Sequence, residues 1–303
     1  MFFWGYTMDI RHLQIFRMVC DCGGITAAAD RLNVTQPSVS IAIRELEAYY
    51  HVKLFDRINR GVYPTEAGRL LRQYADAILT PFAEAESVLR TGRAFVHCRI
   101  GVNVSVAEAY LGDWIETIRK TAPEIELTAF ADNNERLDRL LTENRIDLAV
   151  YDGAIDRAAK TVLPLFTETE AAVCAPGFYE NDTISPEELA RHPLLLREMG
   201  SGQRSAVDNA LSRYGCTCAV TSVSTLALVE LAAQGIGIAV VPMRLAKQVC
   251  AKYGLRLCAI VNETGAAAIQ REYVLAHLRH KNLTPAMRGV MEVLQHCARA
   301  LVG

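Results

Sequence analysis

The 303-residue sequence lacks the marks of several classes of protein. No apolar run approaches the roughly 18 residues that a membrane-spanning helix needs. The opening segment MFFWGYT is apolar, but it has neither the basic start nor the cleavage site of a signal peptide. Nine cysteines are present, yet they form no C-x-x-C pair and no Cys/His cluster at zinc spacing. These absences predict a cytoplasmic protein with reduced, mostly buried thiols and no bound metal.

The sequence also lacks a strong excess of charge of either sign. Its net charge is −2 and its pI is about 6.4, and residues 1–65 hold seven Arg and Lys against six Asp and Glu. Binding to a polyanion would therefore depend on where the positive side chains lie, because the gross charge does not favour it.

The motifs of common enzymes are missing as well. The chain contains no G-x-x-x-x-G-K-[ST], no G-x-S-x-G and no H-E-x-x-H. The run GIGIAVV at 235–241 looks like part of a dinucleotide-binding fingerprint. However, a helix pattern precedes its glycines, a strand pattern follows them, and the third glycine is absent. The sequence therefore gives no support to an enzyme.

What the sequence does contain is a two-helix pattern in the segment Ile25–Arg57. A first helix is predicted over Thr26–Leu32, with the Thr26 hydroxyl as its cap, and a turn follows. A second helix is predicted over Thr35–Tyr49. Thr35 caps it, and Pro37 lies in its first turn, where a missing N–H costs nothing.

The two faces of the second helix differ in chemistry. Val39, Ile43 and Leu46 recur at helical spacing and predict a buried stripe. The opposite face begins with Gln and Ser, which can donate and accept hydrogen bonds at base edges and phosphates. Two short strands around a tight loop are predicted over 52–64, and their basic residues lie where a wing would meet phosphates. The alternative for the two helices alone is a helical hairpin in an ordinary core.

The runs AADRLNVTQPSVS, IRELE, KLFDR and TEAG follow one another in this order, and together they resemble the DNA-binding domain of LysR-type transcriptional regulators. The resemblance implies an α+β multidomain fold. Its parts are an N-terminal winged helix-turn-helix, a long linker helix and a C-terminal two-lobed α/β domain like the type 2 periplasmic binding proteins. The implied ranges are a disordered extension over 1–7, the DNA-binding domain over 8–65, the linker over 66–94 and the effector domain over 95–303. Within the effector domain, lobe 1 takes about 96–170 and 275–303, and lobe 2 about 171–274.

The resemblance also assigns roles in the N-terminal domain. The second helix enters the major groove of double-stranded DNA, and the wing holds phosphate or the minor groove. The implied DNA-binding residues are Thr35, Gln36, Pro37, Ser38, Ser40, Arg44, Lys53, Arg57 and Arg60. Ile41 departs from the polar or basic residue often found there, which predicts an apolar contact such as a thymine methyl. Tyr50 and His51 replace the family's Leu-Gly at the helix end, which predicts a strained turn.

One long helix is predicted from Thr65 to about Arg93. Its apolar residues recur with a period near 3.6 and form a stripe that must pack against another apolar surface. In the family, two such helices pack antiparallel and form a dimer; the alternative is that the helix packs on the chain's own effector domain. Pro81 lies inside the pattern and predicts either a kink or a break.

From Cys98 onward, strand and helix patterns alternate, which predicts mostly parallel sheets covered on both faces. Strands are predicted at 99–103, 125–130, 146–150, 170–174, 194–196, 220–222 and 238–241. Helices are predicted at 107–122, 133–143, 202–214, 225–234, 243–253 and 285–300, the last of which returns to the first lobe.

Small and polar residues follow the predicted strands, at the sheet edge where ligands bind in α/β proteins. Hydroxyls and free N–H groups at helix N-termini favour a small anion. The candidate effector-binding residues are Asn103, Val104, Ser105, Thr128, Gly200, Ser201, Gly202, Gln203, Arg204, Ser224 and Thr225. Plain N-capping is the alternative role for the serines, and Arg204 either adds charge to the site or faces solvent.

Together these features predict a ligand-responsive, DNA-binding transcriptional regulator. The expected partners are double-stranded DNA, further copies of the chain in a dimer and a tetramer, a small-molecule effector and RNA polymerase. No cofactor is expected. The alternative is a protein that only binds a small molecule, which fits the second half of the sequence but not the first.

Overall fold

The computed structural model describes residues 8–58, 61–91 and 96–302. Contacts divide the chain into two compact units. The first comprises the residues up to Val96 and the short segment His280–Thr284, and the second comprises His97–Arg279 and the segment from Pro285 onward. The extension expected over 1–7 lies outside the described residues.

The first unit is a winged helix-turn-helix followed by a long helix. Its elements are α1 (Ile10–Cys22), α2 (Ile25–Leu32), α3 (Gln36–Tyr50), β1 (Phe55–Ile58), β2 (Gly61–Pro64) and α4 (Glu66–Thr91). Strands β1 and β2 pair antiparallel, with Phe55 opposite Pro64. The expected fold class of this part of the chain is confirmed.

Helix α1 has no counterpart among the predicted elements, although its ends are well marked. The carboxylate of Asp9 accepts a hydrogen bond from the backbone N–H of His12 at 3.1 Å, and Gly23 ends the helix in the left-handed region with φ of 63°. The predicted cap of the next helix is wrong. Helix α2 begins at Ile25 after Gly24, and no side chain caps it, so Thr26 lies inside the first turn.

Both ends of α3 behave as the sequence predicts. The Thr35 hydroxyl accepts a hydrogen bond from the N–H of Ser38 at 3.4 Å, and Pro37 lies in the first turn. At the other end, His51 has φ of 54°, in the left-handed region that costs a residue with a Cβ roughly 1–2 kcal/mol. The strained turn predicted for this position is confirmed.

The core of the first unit joins all four helices to the wing. The rings of Phe16 in α1 and Phe55 in β1 lie 5.2 Å apart. Helix α4 adds Ala75 and Leu79 to the same core, so the chain itself covers one side of the apolar stripe on α4. Helix α4 runs without interruption through position 81, so the break, one of the two outcomes expected at Pro81, is wrong.

The second unit is built from strands and helices in alternation. Its strands are β3 (Val96–Asn103), β4 (Ile125–Asp132), β5 (Leu148–Tyr151), β6 (Lys160–Cys174), β7 (Thr183–Ile184), β8 (Pro193–Arg197), β9 (Thr217–Ser222), β10 (Ile238–Pro242), β11 (Arg256–Ile260) and β12 (Gln270–Leu278). Its helices are α5 (Val104–Ala109), α6 (Leu111–Thr121), α7 (Asn134–Thr142), α8 (Pro186–Ala190), α9 (Gly202–Leu211), α10 (Thr225–Ala233), α11 (Met243–Tyr253) and α12 (Pro285–Val302).

The strands follow the order β4-β3-β5-β12-β6-β10-β8-β9, with β11 and β7 beside β6. The outer strands pair in parallel, but β12 pairs antiparallel with both β5 and β6, and β6 pairs antiparallel with β10 and β11. The expectation of mostly parallel sheets therefore holds for the pairs β3–β5, β8–β9 and β8–β10 but not for the middle of the sheet. The reason is that two long strands, β6 and β12, run in opposite directions through the middle and join the two lobes.

Several predicted elements of the second unit need correction. The single helix expected over 107–122 is two helices, α5 and α6, because the backbone leaves the helical region at Tyr110, where φ is −135°. The elements β7, α8, β11 and β12 have no counterpart in the predicted pattern. Helix α12 packs on α6 and β6, which confirms that the last helix returns to the first lobe.

Candidate functional site

The first turn of α3 presents polar side chains to solvent. Gln36, Pro37 and Ser38 are exposed and Ser40 is half-buried, while the opposite face of the helix buries Val39, Ala42, Ile43 and Leu46. The hydroxyls of Thr35 and Ser38 lie 2.8 Å apart, which fixes both side chains at the start of the helix. An exposed row of hydroxyl and amide groups on a well-anchored helix has the chemistry needed to contact base edges.

Two further residues extend this face. Ile41 is 46 % exposed, an unusual position for a large apolar side chain. Arg44 is exposed, and its Nε donates to the carbonyl of Ser40 at 3.2 Å. The guanidinium is thereby held along the helix, with positive charge left on the outer surface.

Lys53, at the entrance to the wing, is partly neutralised. Its Nζ lies 2.8 Å from Oε2 of Glu47, and Glu47 also accepts a hydrogen bond from the N–H of Leu54 at 2.9 Å. Burial by itself would raise the pKa of Glu47, but these two hydrogen bonds hold it below its usual value. The Lys53 side chain remains 77 % exposed. The side chain of Arg57 and the whole of Arg60 lie outside the described residues.

In the second unit, three of the predicted effector-binding residues meet in one buried network. Its centre is Arg271 of β12, which donates to Asp152 through Nε at 2.8 Å and through a terminal nitrogen at 2.9 Å. The other terminal nitrogen donates to Glu170 at 3.0 Å and to the hydroxyl of Ser105 at 2.9 Å. Asn103 donates to Asp152 at 2.9 Å. The arginine is 3 % exposed, and its charge is met on two sides by carboxyl groups.

Gln203 and Asn134 complete the network from two helices. The side-chain amide of Gln203 donates to Glu170 at 3.1 Å, and that of Asn134 donates to Asp152 at 3.0 Å. Burial would raise the pKa of Asp152, but Arg271 and the hydrogen bonds hold it below its usual value. At Glu170 burial has the larger effect and raises the pKa, although Arg271 and Gln203 act to lower it. Asp152 receives two hydrogen bonds from Arg271 and Glu170 one, so Asp152 is the closer-bound counter-ion of the arginine.

A second network involves Thr225 at the start of α10. Arg197 is 2 % exposed and donates to the Thr225 hydroxyl at 3.2 Å, while its other nitrogens bind Glu198 at 2.9 and 3.1 Å. Glu198 in turn accepts a hydrogen bond from Asn133 at 3.3 Å. Burial raises the pKa of Glu108, a carboxyl group that faces the first turn of α10, although Thr225 and Arg197 act against this rise.

The remaining predicted effector residues have other roles. Thr128 lies 2.9 Å from the ring of His97. Nε of Arg204 donates to both carboxylate oxygens of Asp208, at 2.9 and 2.8 Å, and the arginine side chain is half-buried. Ser224 caps α10, accepting from the N–H of Ala227 at 3.3 Å. Ser201 is the N-cap residue of α9 but makes no side-chain cap bond, and it is buried.

One position of the loop before α9 is close to the opposite lobe. Gly200 has φ of 86°, and a Cβ there would lie 2.9 Å from a carboxylate oxygen of Glu135. Val104 opens α5 and is half-buried.

A cavity of about 580 Å³ lies against the Arg271 network. Asp152 and Arg271 form part of its lining, Gly202, Ala206 and Ala210 of α9 form one wall, and Ile269 is among the apolar residues that face them. Its volume is in the range of small-molecule sites. The lining is mixed: it includes the charged residues Asp152, Arg157, Arg271 and Glu272 together with apolar residues such as Ile155 and Val274.

Sequence reasoning misses the charged residues at the centre of both networks. Asp152, Glu170 and Arg271 come from three strands or strand ends far apart in the chain, and each looks like an ordinary surface charge when taken alone. Only the expectation that polar residues collect at strand ends could have pointed to Asp152, which directly follows β5.

The cysteines lie outside the two networks described above. None of the nine cysteines forms a disulfide; Cys98, Cys174 and Cys258 are buried, four others are partly buried, and Cys216 and Cys218 are exposed. Among the described residues, no group of three His, Cys, Asp or Glu side chains could hold a metal ion. Nor does any helix in the described ranges have the length and apolarity to cross a membrane.

Comparison with known proteins matches both units. Residues 10–69 match the bacterial regulatory helix-turn-helix protein family of lysR type, and residues 96–298 match the LysR substrate binding domain. The RuBisCO operon transcriptional regulator of Allochromatium vinosum is 27 % identical over 299 residues, with 96 % of this chain and 97 % of that protein covered. The regulator CbbR of Sinorhizobium medicae is 29 % identical over 314 residues, covering 97 % and 95 %.

Solved structures show the same fold over the full length. The full-length structure of an OxyR variant from Pseudomonas aeruginosa superimposes with a TM-score of 0.75 at 20 % identity, covering 97 % of this chain and 96 % of that one. ArgP from Mycobacterium tuberculosis gives a TM-score of 0.74 at 21 % identity, covering 96 % and 98 %. The chain belongs to the LysR family of bacterial transcriptional regulators, and it is a ligand-responsive, DNA-binding regulator.

Proposed function

We propose that the chain regulates transcription by inserting α3 into the major groove of promoter DNA. The observation that carries this proposal is the exposed first turn of α3, Gln36–Ser38, above a fully apolar buried face. Gln36 and Ser38 contact base edges, because their groups donate and accept hydrogen bonds. Ile41 lies on the same outer face and contacts a thymine methyl.

Positive side chains around α3 bind the phosphate backbone. Arg44 and Lys53 are exposed on the described surface, and Arg57 and Arg60 follow Lys53 in the sequence. Such contacts fix the register of the protein on DNA without reading its sequence, and they make the affinity depend on salt.

The proposed dimer forms through α4. Exposed apolar side chains recur along this helix at every fourth residue, at Leu70, Tyr74, Ile78 and Phe82. They lie on a side of α4 that the core of the first unit does not cover, since Ala75 and Leu79 point into that core. A contiguous apolar row of this kind needs a partner. A second copy of α4 packed antiparallel supplies one, and a tetramer follows from contacts of the second units.

The second unit takes a small-molecule effector, for which we propose an anion. Support comes from two buried arginines, Arg197 and Arg271, and from the starts of α7, α9 and α10. Effector binding changes the closure of the lobes and shifts the placement of the dimers on DNA. RNA polymerase is the further partner, the site of action is the cytoplasm, and the protein acts without a cofactor or a catalysed reaction.

The test is binding to the DNA just upstream of the protein's own gene, with random DNA as competitor, for the native chain and for Gln36→Ala. We expect the variant to lose affinity for the specific site by about 1–3 kcal/mol, the range for one good side-chain contact to a base. Its affinity for random DNA and the slope of affinity against salt should not change, because no phosphate contact is removed.

Gln14→Ala is the matched control, since Gln14 is an exposed glutamine of α1 in the same unit. It should bind like the native chain. An equal loss on specific and random DNA in Gln36→Ala would contradict base contact by Gln36. If the native protein shows no preference for any bacterial promoter over random DNA, the result would favour a protein that only binds a small molecule.

A further inference from the structure

We propose that Asp152 is a built-in ligand: its carboxylate fills an anion-binding site made by Arg271, Asn103 and Asn134, and a carboxylate of the effector takes this place during the response. This inference rests on the proposed effector function of the second unit. It names the chemical class of the effector and the group that the effector must displace.

The number and origin of the donors are those of an anion site. The carboxylate of Asp152 receives two hydrogen bonds from Arg271, at 2.8 and 2.9 Å, in the bidentate geometry that arginine uses for carboxylate ligands. Asn103 and Asn134 add amide donors at 2.9 and 3.0 Å. The four bonds come from β12, the end of β3 and the start of α7, so three separate elements converge on one small anion.

Two helix starts add to the positive potential at this place. Asn134 is the first residue of α7, which is nine residues long, and Gly202 is the first residue of α9, which is ten. A Cβ at Gly202 would lie 2.6 Å from Oδ2 of Asp152 and closer still to Oδ1, so the absence of a side chain lets the backbone of α9 approach the carboxylate. The positive ends of both helices favour a negative charge between them.

The ion pair lies at the wall of a pocket. Asp152 and Arg271 both line the cavity of about 580 Å³ beside α9. A small acid entering this cavity meets Arg271 on one side, and Ala206, Ala210 and Ile269 can take its apolar body. The cavity thus gives the effector a route to the arginine and a place for the rest of the molecule.

Charge balance decides the class of the effector. Arg271 is buried, and it donates two hydrogen bonds to Asp152 but only one to Glu170. If Asp152 left the arginine and nothing negative replaced it, a buried charge would remain unpaired, which is strongly unfavourable. A carboxylate can replace a carboxylate, whereas a neutral or cationic molecule cannot.

The experiment is chemical rescue in the purified full-length chain, with formate as the probe. Asp152→Ala removes a group of the size of formate and leaves its donors in place. We expect this variant to melt at a lower temperature than the native chain, and formate to raise its melting temperature in a saturable way. Chloride at the same ionic strength should have little effect, and the native chain should not respond to formate.

Asp208→Ala is the matched control, because Asp208 also pairs with an arginine, Arg204, but on the outer side of α9. It should show no response to formate. An Asp152→Ala chain that responds equally to formate and chloride would overturn the proposal.

A second variant covers the case in which Asp152→Ala does not fold. Asp152→Asn keeps the shape of the side chain but cannot neutralise Arg271, so succinate should bind it more tightly than the native chain by on the order of tenfold or more. Equal affinity would overturn the proposal. Selective binding of the native chain to its promoter is measured separately. If formate does not rescue the variant while the native chain still binds its promoter selectively, the built-in ligand is refuted and the proposed regulator function is not affected.

Discussion

Replacing Gly202 with alanine should disrupt the ion pair of Asp152 and Arg271 by adding one methyl group. The new Cβ would stand 2.6 Å from Oδ2 of Asp152 and closer to Oδ1, whereas non-bonded atoms prefer separations of about 3.5 Å or more. The carboxylate must therefore move by about 1 Å. A shift of that size breaks hydrogen bonds that are now 2.8 and 2.9 Å long.

The size of the effect follows from opposing contributions. Removing one partner of a buried ion pair costs about 3–5 kcal/mol, while alanine in a helix gains up to about 1 kcal/mol over glycine. The net loss in the free energy of unfolding is thus about 2–4 kcal/mol. For a domain of this size that corresponds to a decrease in Tm of roughly 4–16 °C.

The assay is thermal and urea unfolding followed by tryptophan fluorescence. Trp114 is buried in the second unit and packs against Tyr110 and Phe166, so in a chain with the other tryptophan, Trp4, replaced by Phe its emission reports on the unit that carries the mutation. Gly112→Ala is the control, because Gly112 lies in α6 and nothing approaches the position of its Cβ within 4 Å. That variant should be as stable as the native chain or slightly more so. If both variants unfold alike, the close packing of α9 on Asp152 is refuted.

Two further predictions concern the first unit. Ile78→Asp should convert the chain from dimer to monomer in sedimentation, because the contact would bury a carboxylate. Met199→Asp changes an exposed apolar residue of the second unit and should leave the chain a dimer. An Ile78→Asp chain that is still a dimer would contradict the role of α4. The first unit should also lose stability as the pH rises above about 6.5. Burial alone would lower the pKa of His12, but its hydrogen bonds to Glu45 and Asp9 raise it. The protonated His12 therefore adds its full stabilisation below the pKa of about 6.5 that histidine has in the unfolded chain, and this stabilisation is lost as the pH rises through the higher pKa of the folded chain. Because the partners are largely exposed, we expect a change below about 1 kcal/mol in urea unfolding; the same slope in His12→Gln would exclude His12 as its source.

The first unit is the part of the fold that sequence reasoning describes best, because its signals are local. A cap and its recipient lie three residues apart, as Thr35 and Ser38 do, and a buried helical stripe repeats within two turns. The error at Thr26 has the same local origin. A hydroxyl near a helix start is a candidate cap in any sequence, and only the backbone shows that Gly24 takes that position.

The second unit is predicted less well because its central contacts are not local. The pairing of β6 with β12 joins residues about a hundred positions apart, such as Glu168 and Arg271. Nothing in the pattern around either strand announces this partner. The antiparallel middle of the sheet, and with it the connection between the lobes, therefore follows only from the structure.

The candidate effector site shows the same limit at the level of single side chains. Asn103, Ser105 and Gln203 are expected at one place, and they do meet there, because strand ends and helix starts converge in this fold. The same rule applies to Asp152 at the end of β5, yet a carboxylate at such an edge can serve either as a ligand-binding group or as the ligand itself. What separates these roles is the position of a cation, and Arg271 lies 119 residues further along the chain. A sequence can thus indicate where an anion belongs, while the contacts of Asp152 show that the chain itself supplies one.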